Sequence, residues 1–242
     1  MKLRSLVVGL IGLLVFVSCS ENNEHTILLD TYPLSISEPS GLSYSADKQS
    51  LYTVSDRGTI YSLSFDGKSI QKLSYTSDDF EGVTVNIKNS GIYVVKERSG
   101  ELVELDVNGR YKKTYSIINN PGNSGLEGVS YDSKRNLFYL LKEKDKGLLI
   151  TYSLSEGITD ETELGFASDY SGIFYNENTD KLWIVSDESN TLTRCDLKGN
   201  SEIYYDLTNL QGIEGVVVNE DETEAFIVSD PSNKIYKINL LR

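Results

Sequence analysis

A short phrase built on glycine returns five times along the chain: PSGLSY at 39–44, FEGVTV at 80–85, LEGVSY at 126–131, YSGIFY at 170–175 and IEGVVV at 213–218. Its glycines, Gly41, Gly82, Gly128, Gly172 and Gly215, are spaced by 41, 46, 44 and 43 residues. A period near forty marks a repeat architecture, in which each unit is one supersecondary module that buries its apolar faces only against its neighbours. Within every unit the order is the same. An apolar strand begins at the glycine and is followed by a polar turn. A second strand comes next (LYTVSD, IYVVKE, FYLLKE, LWIVSD, AFIVSD), and then a third (TIYSLSF, ELVELDV, LLITYSL, TLTRCDL, KIYKINL). β-Branched and aromatic residues punctuated by Gly, Asn and Asp are a strand and hairpin signal, and no stretch carries a helical period.

A four-stranded blade needs one more strand per unit. IQKLSY, YKKTYSI, TDETELG and EIYYDL supply it in the first four, while the fifth unit stops at Arg242, directly after its third strand. The missing strand is available at the other end, in HTILLDTYPL at 25–34. Pairing that segment into the last blade would close the ring and remove two exposed edges. The expectation is therefore an all-β, five-bladed β-propeller of four-stranded antiparallel blades over residues 25–242. A β-sandwich and a six-bladed ring with one degenerate blade are the alternatives, but no sixth phrase is found.

The N-terminus reads differently. Residues 1–18 place Lys2 and Arg4 before an apolar run from Leu6 to Val17, the pattern of a secretory signal peptide and too short for a membrane span. VFVSC resembles a bacterial lipobox, which makes Cys19 the expected lipidated residue and 19–24 a short polar tether. Several acyl chains on one cysteine anchor a protein stably in a membrane. The expected location is the bacterial cell envelope, as a membrane-anchored lipoprotein on its periplasmic or surface side. The other cysteine, Cys195, sits within a strand pattern and reads as a packed side chain, so no disulfide framework exists.

A net charge of −13 excludes nucleic acid as a partner, because phosphate binding needs a cationic surface. The charge is also patterned. An acid stands fifteen residues after every repeat glycine, as Asp56, Glu97, Glu143, Asp187 and Asp230. In an antiparallel hairpin the start of the first strand and the end of the second lie at the same end. These five acids should thus share one face with Glu81, Glu127 and Glu214, which precede their glycines where the first and fourth units have Ser40 and Ser171. Glu38, Asp79 and Asp169 approach the same face. Carboxylates crowded into one opening raise one another's pKa unless a cation or basic side chains compensate. Oxygen donors in this number suit Ca²⁺, the expected cofactor, with those eight acids as its candidate ligands. Lys96, Lys142, Arg98 and Arg57 flank them and are candidate ligand-binding residues. The alternative is that the acids cap strand ends and pair with these neighbours. Zinc is disfavoured, since His25 is the sole histidine.

DFEGVTV, GLEGVSYD, LWIVSDES and GIEGVVV resemble the SdiA-regulated family of bacterial secreted or membrane-anchored propellers, and the resemblance runs from about Thr26 to Arg242. It implies the propeller fold and an envelope location. Relatives with phytase-like or esterase-like descriptions imply a calcium-dependent channel. The leading functional expectation is a monomeric, calcium-binding module that takes a protein or small-molecule ligand at an acidic channel mouth. The alternative is a Ca²⁺-assisted hydrolase of phosphate esters, esters or lactones, with Glu127 or Glu214 activating water. A two-carboxylate glycosidase is a third reading, weakened because Trp183 lies inside a strand and reads as core.

Overall fold

The computed structural model describes residues 23–119, 121–143 and 146–241. Cys19 and the signal segment lie outside the described residues. The described residues form strands and turns only, arranged as five sheets that are antiparallel except for one short added strand. Each sheet is one blade. The inner strands are Pro39–Tyr44, Phe80–Asn86, Leu126–Asp132, Gly172–Asn176 and Ile213–Val218, and each touches the next in a closed circle. The fifth blade is completed by Thr26–Pro33, which pairs antiparallel with Lys234–Leu240 in a register from Thr26 opposite Leu240 to Pro33 opposite Lys234. The chain's first long strand and its last thus lie side by side, as the ring-closure argument requires. One addition was not anticipated: Asn23 and Glu24 pair in parallel with Tyr204 and Tyr205 of the fourth blade, so the N-terminal segment spans two blades.

Five apolar clusters hold the ring, one at each interface between successive blades. This explains the second strands. Each lies inside a blade packed on both faces, so Ile92–Val95, Phe138–Leu141 and Leu182–Val185 are buried without interruption instead of alternating. Outer strands such as Tyr111–Ser116 and Gly157–Glu163 face water and carry Lys, Thr, Asp and Glu, which discourage edge-to-edge pairing between molecules. Trp183 is fully buried between the fourth and fifth blades, stacked on Tyr205, with its indole N–H donated to Glu222 at 3.0 Å. Cys195 is likewise packed in a core, where burial pushes its thiol pKa far up.

The repeat glycines sit where adjacent inner strands meet backbone to backbone. A Cβ on Gly82 would lie 2.7 Å from the Glu127 carbonyl oxygen, and one on Gly172 would lie 2.3 Å from that of Glu214. Gly215 closes the circle, its added Cβ falling 2.5 Å from the Gly41 carbonyl carbon. At these three positions glycine is required because the neighbouring blade's main chain occupies the space of any side chain.

Candidate functional site

At the level of these glycines the inner strands are irregular in a way that positions the acids. In the second blade Phe80 pairs with Lys96 and Gly82 with Val95, leaving Glu81 without a partner. Glu127 is skipped between Leu126 and Gly128, and Glu214 between Ile213 and Gly215. Each glutamate is therefore the extra residue of a β-bulge, a device that re-aims one side chain at the rim of a sheet. The Glu-Gly pair now has a physical reading. The bulge turns the glutamate out of the alternation, and the glycine lets the next blade close against it.

The three glutamates converge. Burial and the charges of Asp56, Glu214 and Glu97 push Glu81 up to about 8, partly offset by the Ser40 hydroxyl. Burial, then Asp187, Asp230, Asp169 and Glu143, push Glu214 up to about 8. Glu127 is raised well above the usual carboxylate range by burial, then by Glu81, Glu143, Glu97 and Glu214. Groups from the second, third and fifth blades act on one another only because they share one mouth. The fifteen-residue acids each follow the last residue of a second strand and ring the same opening. Burial and neighbouring carboxylates raise Glu97, Asp187 and Asp230 as well.

Two groups of three stand out. Oxygens of Asp56, Asp79 and Glu81 lie within 4.8 Å of one another, as do those of Glu97, Glu127 and Glu143. That span is about twice a Ca–O distance of ~2.4 Å, so each trio could coordinate one cation. The donors are all hard carboxylate oxygens, which fits Ca²⁺. Asp79 adds a further sign: its Oδ1 is buried and accepts no well-aligned hydrogen bond, although the Arg98 guanidinium lies 3.1 Å away. Asp79 belongs to the site as closely as Asp56 does, yet its sequence position assigned it only to an approach loop. Its left-handed backbone, at φ 63°, marks the tight turn that carries it inward.

The second-strand acids also have structural work. The Glu97 carboxylate accepts from the Gly125 N–H of the next blade, and the Asp187 carboxylate from Gly212 and Ile213. The main chains are latched too, with the N–H groups of Asp56, Glu97 and Asp230 donating to the Glu38, Asp79 and Gly212 carbonyls. The basic residues are partly committed. Arg57 makes a two-pronged pair with Glu38, its Nε and Nη2 donating at 2.7 and 3.0 Å. Arg98 is shared between Asp79 and Asn123 and also lowers the pKa of Glu97. Lys96 turns to Asp78 at 2.7 Å, with Glu101 at 3.9 Å. Lys142 is half-buried opposite Leu126 and Leu148. In the fourth blade, where serine replaces glutamate, Ser171 and Ser186 donate hydroxyls to Asp169.

A family model described as SdiA-regulated matches residues 21–239. Among solved structures, a glutaminyl cyclase from Myxococcus xanthus is similar with a TM-score of 0.70 at 10% identity, covering 91% of this chain and 98% of that one. A virginiamycin B lyase from Staphylococcus aureus is similar at TM-score 0.54 and 14% identity, over 87% of this chain and 69% of that one. A nidogen/laminin complex is similar at TM-score 0.61 and 13% identity, over 82% and 74%. At such identities these likenesses establish the fold.

Proposed function

The chain belongs to the SdiA-regulated family, and from that premise we propose that it is a calcium-binding propeller module of the bacterial cell envelope, tethered through a lipidated Cys19. The observation that carries the calcium reading is the pair of carboxylate trios, whose members Glu81 and Glu127 are pushed out of their ordinary range by burial and by neighbouring carboxylates. Such a mouth is electrostatically frustrated when empty of cations. Asp56, Asp79 and Glu81 would hold one ion and Glu97, Glu127 and Glu143 another, with Asp187 and Asp230 adding negative field. Bound Ca²⁺ would supply open coordination positions for an oxygen-bearing group of a ligand or protein partner, beside Arg98 and Arg57. Isothermal titration with Ca²⁺ tests this: saturable binding at two sites, one of them lost in Glu127→Gln, supports it, and no heat at millimolar metal removes it.

A Ca²⁺-assisted hydrolase is the second reading. It is favoured by Glu214, whose pKa of about 8 suits a group that exchanges a proton near neutrality. Two of the similar structures are of enzymes, a cyclase and a lyase, so the scaffold accommodates catalysis at low identity. Phosphate monoesters, carboxylic esters and lactones incubated with and without Ca²⁺ separate the readings. Turnover lost in Glu214→Gln would favour the hydrolase.

A further inference from the structure

The opposite end of the ring has a different chemistry. The inner strands run from the acidic mouth toward turns carrying Ser45, Ile87, Ser133, Glu177 and Asn219. There all five blades together enclose a cavity of about 410 Å³. Its wall includes a connected aromatic set. Tyr44 meets Phe65 and Phe174 edge-on with centroids 6.1 and 5.8 Å apart, and Phe65 meets Phe226 at 5.3 Å. All four rings are only partly buried, so they present surface to the cavity.

Several polar groups around the cavity already have partners within the protein. Thr84 Oγ1 accepts the Tyr131 N–H at 3.1 Å and Ser130 Oγ accepts the Tyr175 N–H at 2.8 Å, each across a blade interface. Ser133 donates to Glu177, and Asn176 donates to the Asn219 carbonyl at 3.0 Å. The lining cation Lys48 is paired with Glu220 at 2.5 Å. An anionic ligand entering here would lose its hydration beside the Glu177 and Glu220 carboxylates and find Lys48 already engaged, a cost that aromatic contact does not return. A neutral ligand would gain the burial of apolar surface and edge or face contact with the rings.

We propose that this cavity is a binding site for an uncharged, largely apolar, ring-bearing small molecule. Its volume falls in the ~300–1,000 Å³ range of small-molecule sites, and it is too small to admit a folded partner. The site is separate from the acidic mouth, and the inference does not depend on calcium.

The probe is N-phenylnaphthylamine, a neutral aromatic fluorophore, titrated into the purified protein. Saturable enhancement with one probe per chain is expected, and Phe226→Ala should weaken it by about tenfold, or ~1.4 kcal/mol. Ile87→Glu, at a 40% exposed position on the rim, brings a charge to the entrance without opening the core and should weaken it similarly. It serves as the deciding variant if Phe226→Ala does not fold. Anilinonaphthalene sulfonate, of similar shape but anionic, should bind more weakly than the neutral probe. Enhancement that does not saturate, equal affinity in wild type and Ile87→Glu, or tighter binding of the sulfonate would overturn the proposal.

Discussion

Ser40 Oγ donates a hydrogen bond of 2.8 Å to the main-chain carbonyl of Glu81, joining the first blade to the second at the rim of the acidic mouth. Ser40 occupies the position that holds glutamate in three other blades. A serine here therefore does something a glutamate could not: it ties down the bulge that aims its neighbour's carboxylate. Removing the hydroxyl in Ser40→Ala should cost about 1 kcal/mol in urea unfolding, the usual net worth of such a bond. It should also raise the Glu81 pKa further, because the hydroxyl now offsets part of the burial. Calcium affinity at neutral pH should fall, by less than in Glu127→Gln.

Glu127→Gln separates charge from shape. Glutamine keeps the size of the side chain but cannot ionise, and metal-free Glu127 already holds its proton well above the usual carboxylate range. The stability of the metal-free protein near neutral pH should therefore stay within about 0.5 kcal/mol of wild type or rise. Ca²⁺ affinity should drop by at least about tenfold. Differential scanning calorimetry in chelator, paired with calcium titration, reads both.

The pH dependence of stability follows from the direction of these shifts. Glu81 and Glu214 keep their protons in the folded state up to about 8, whereas the unfolded chain releases them near the ordinary carboxylate value. Between those limits the folded state holds more protons. Their contribution is thus fully present below the unfolded value and is lost as pH rises through about 8. Acids held below the ordinary range, such as Asp180 at about 2, act in the opposite sense but finish titrating below this window. In chelator the melting temperature should fall from about pH 5 to about pH 8, and added Ca²⁺ should recover more at the upper end. A melting temperature that climbs with pH in chelator would contradict the shared mouth.

Among the glycines, Gly172 and Gly165 make a matched pair. A Cβ on Gly172 would meet the Glu214 carbonyl oxygen at 2.3 Å and the Gly215 Cα at 3.0 Å, both rigid main-chain atoms, whereas one on Gly165 meets nothing within 4 Å. Gly172→Ala should destabilise by about 3 kcal/mol through overpacking, and Gly165→Ala should change stability by less than about 0.5 kcal/mol. Chemical denaturation of the two variants checks this.

Glu222 is the last. Its fully buried carboxylate accepts from Trp183 Nε1 at 3.0 Å and from Arg194 Nε at 2.9 Å, and Thr179 donates its hydroxyl to it. Glu222→Ala leaves the indole N–H of Trp183 without its acceptor, while Arg194 retains Glu202. The expected loss is about 3 kcal/mol, the lower end for a broken buried ion pair. A change in the fluorescence of Trp183, the sole tryptophan, should accompany it.

The repeat carried the fold because each blade is coded by the same alternation of strand and turn, and the glycine spacing alone orders the ring. The face shared by Glu81, Glu127, Glu214 and the fifteen-residue acids was legible for the same reason, since hairpin direction follows from turn length. What escaped was decided between blades. The bulges at Glu81, Glu127 and Glu214 are register events, visible only once both strands of the hairpin are in place. Asp79 joins Asp56, from the preceding blade, through a left-handed turn that its residue type does not announce. The capture of Arg57 by Glu38 and of Lys96 by Asp78 depends on side-chain reach. The aromatic cavity gathers Tyr44, Phe65, Phe174 and Phe226 from three blades and from non-equivalent repeat positions, so no single phrase displays it.

The pairing of Thr26–Pro33 with Lys234–Leu240 also sets an order in time. Four blades can assemble from neighbouring segments as a nascent chain lengthens, but the fifth needs its earliest strand to wait for its latest. Contacts so distant along the chain form slowly, because the whole intervening length must be organised first. Until then the inner strand of the first blade has no neighbour on one side, and the apolar surface of Leu42, Leu51 and Leu63 stays open. The slowest step of folding, and the interval of greatest exposure to proteases and to self-association, should therefore be the closing of the ring.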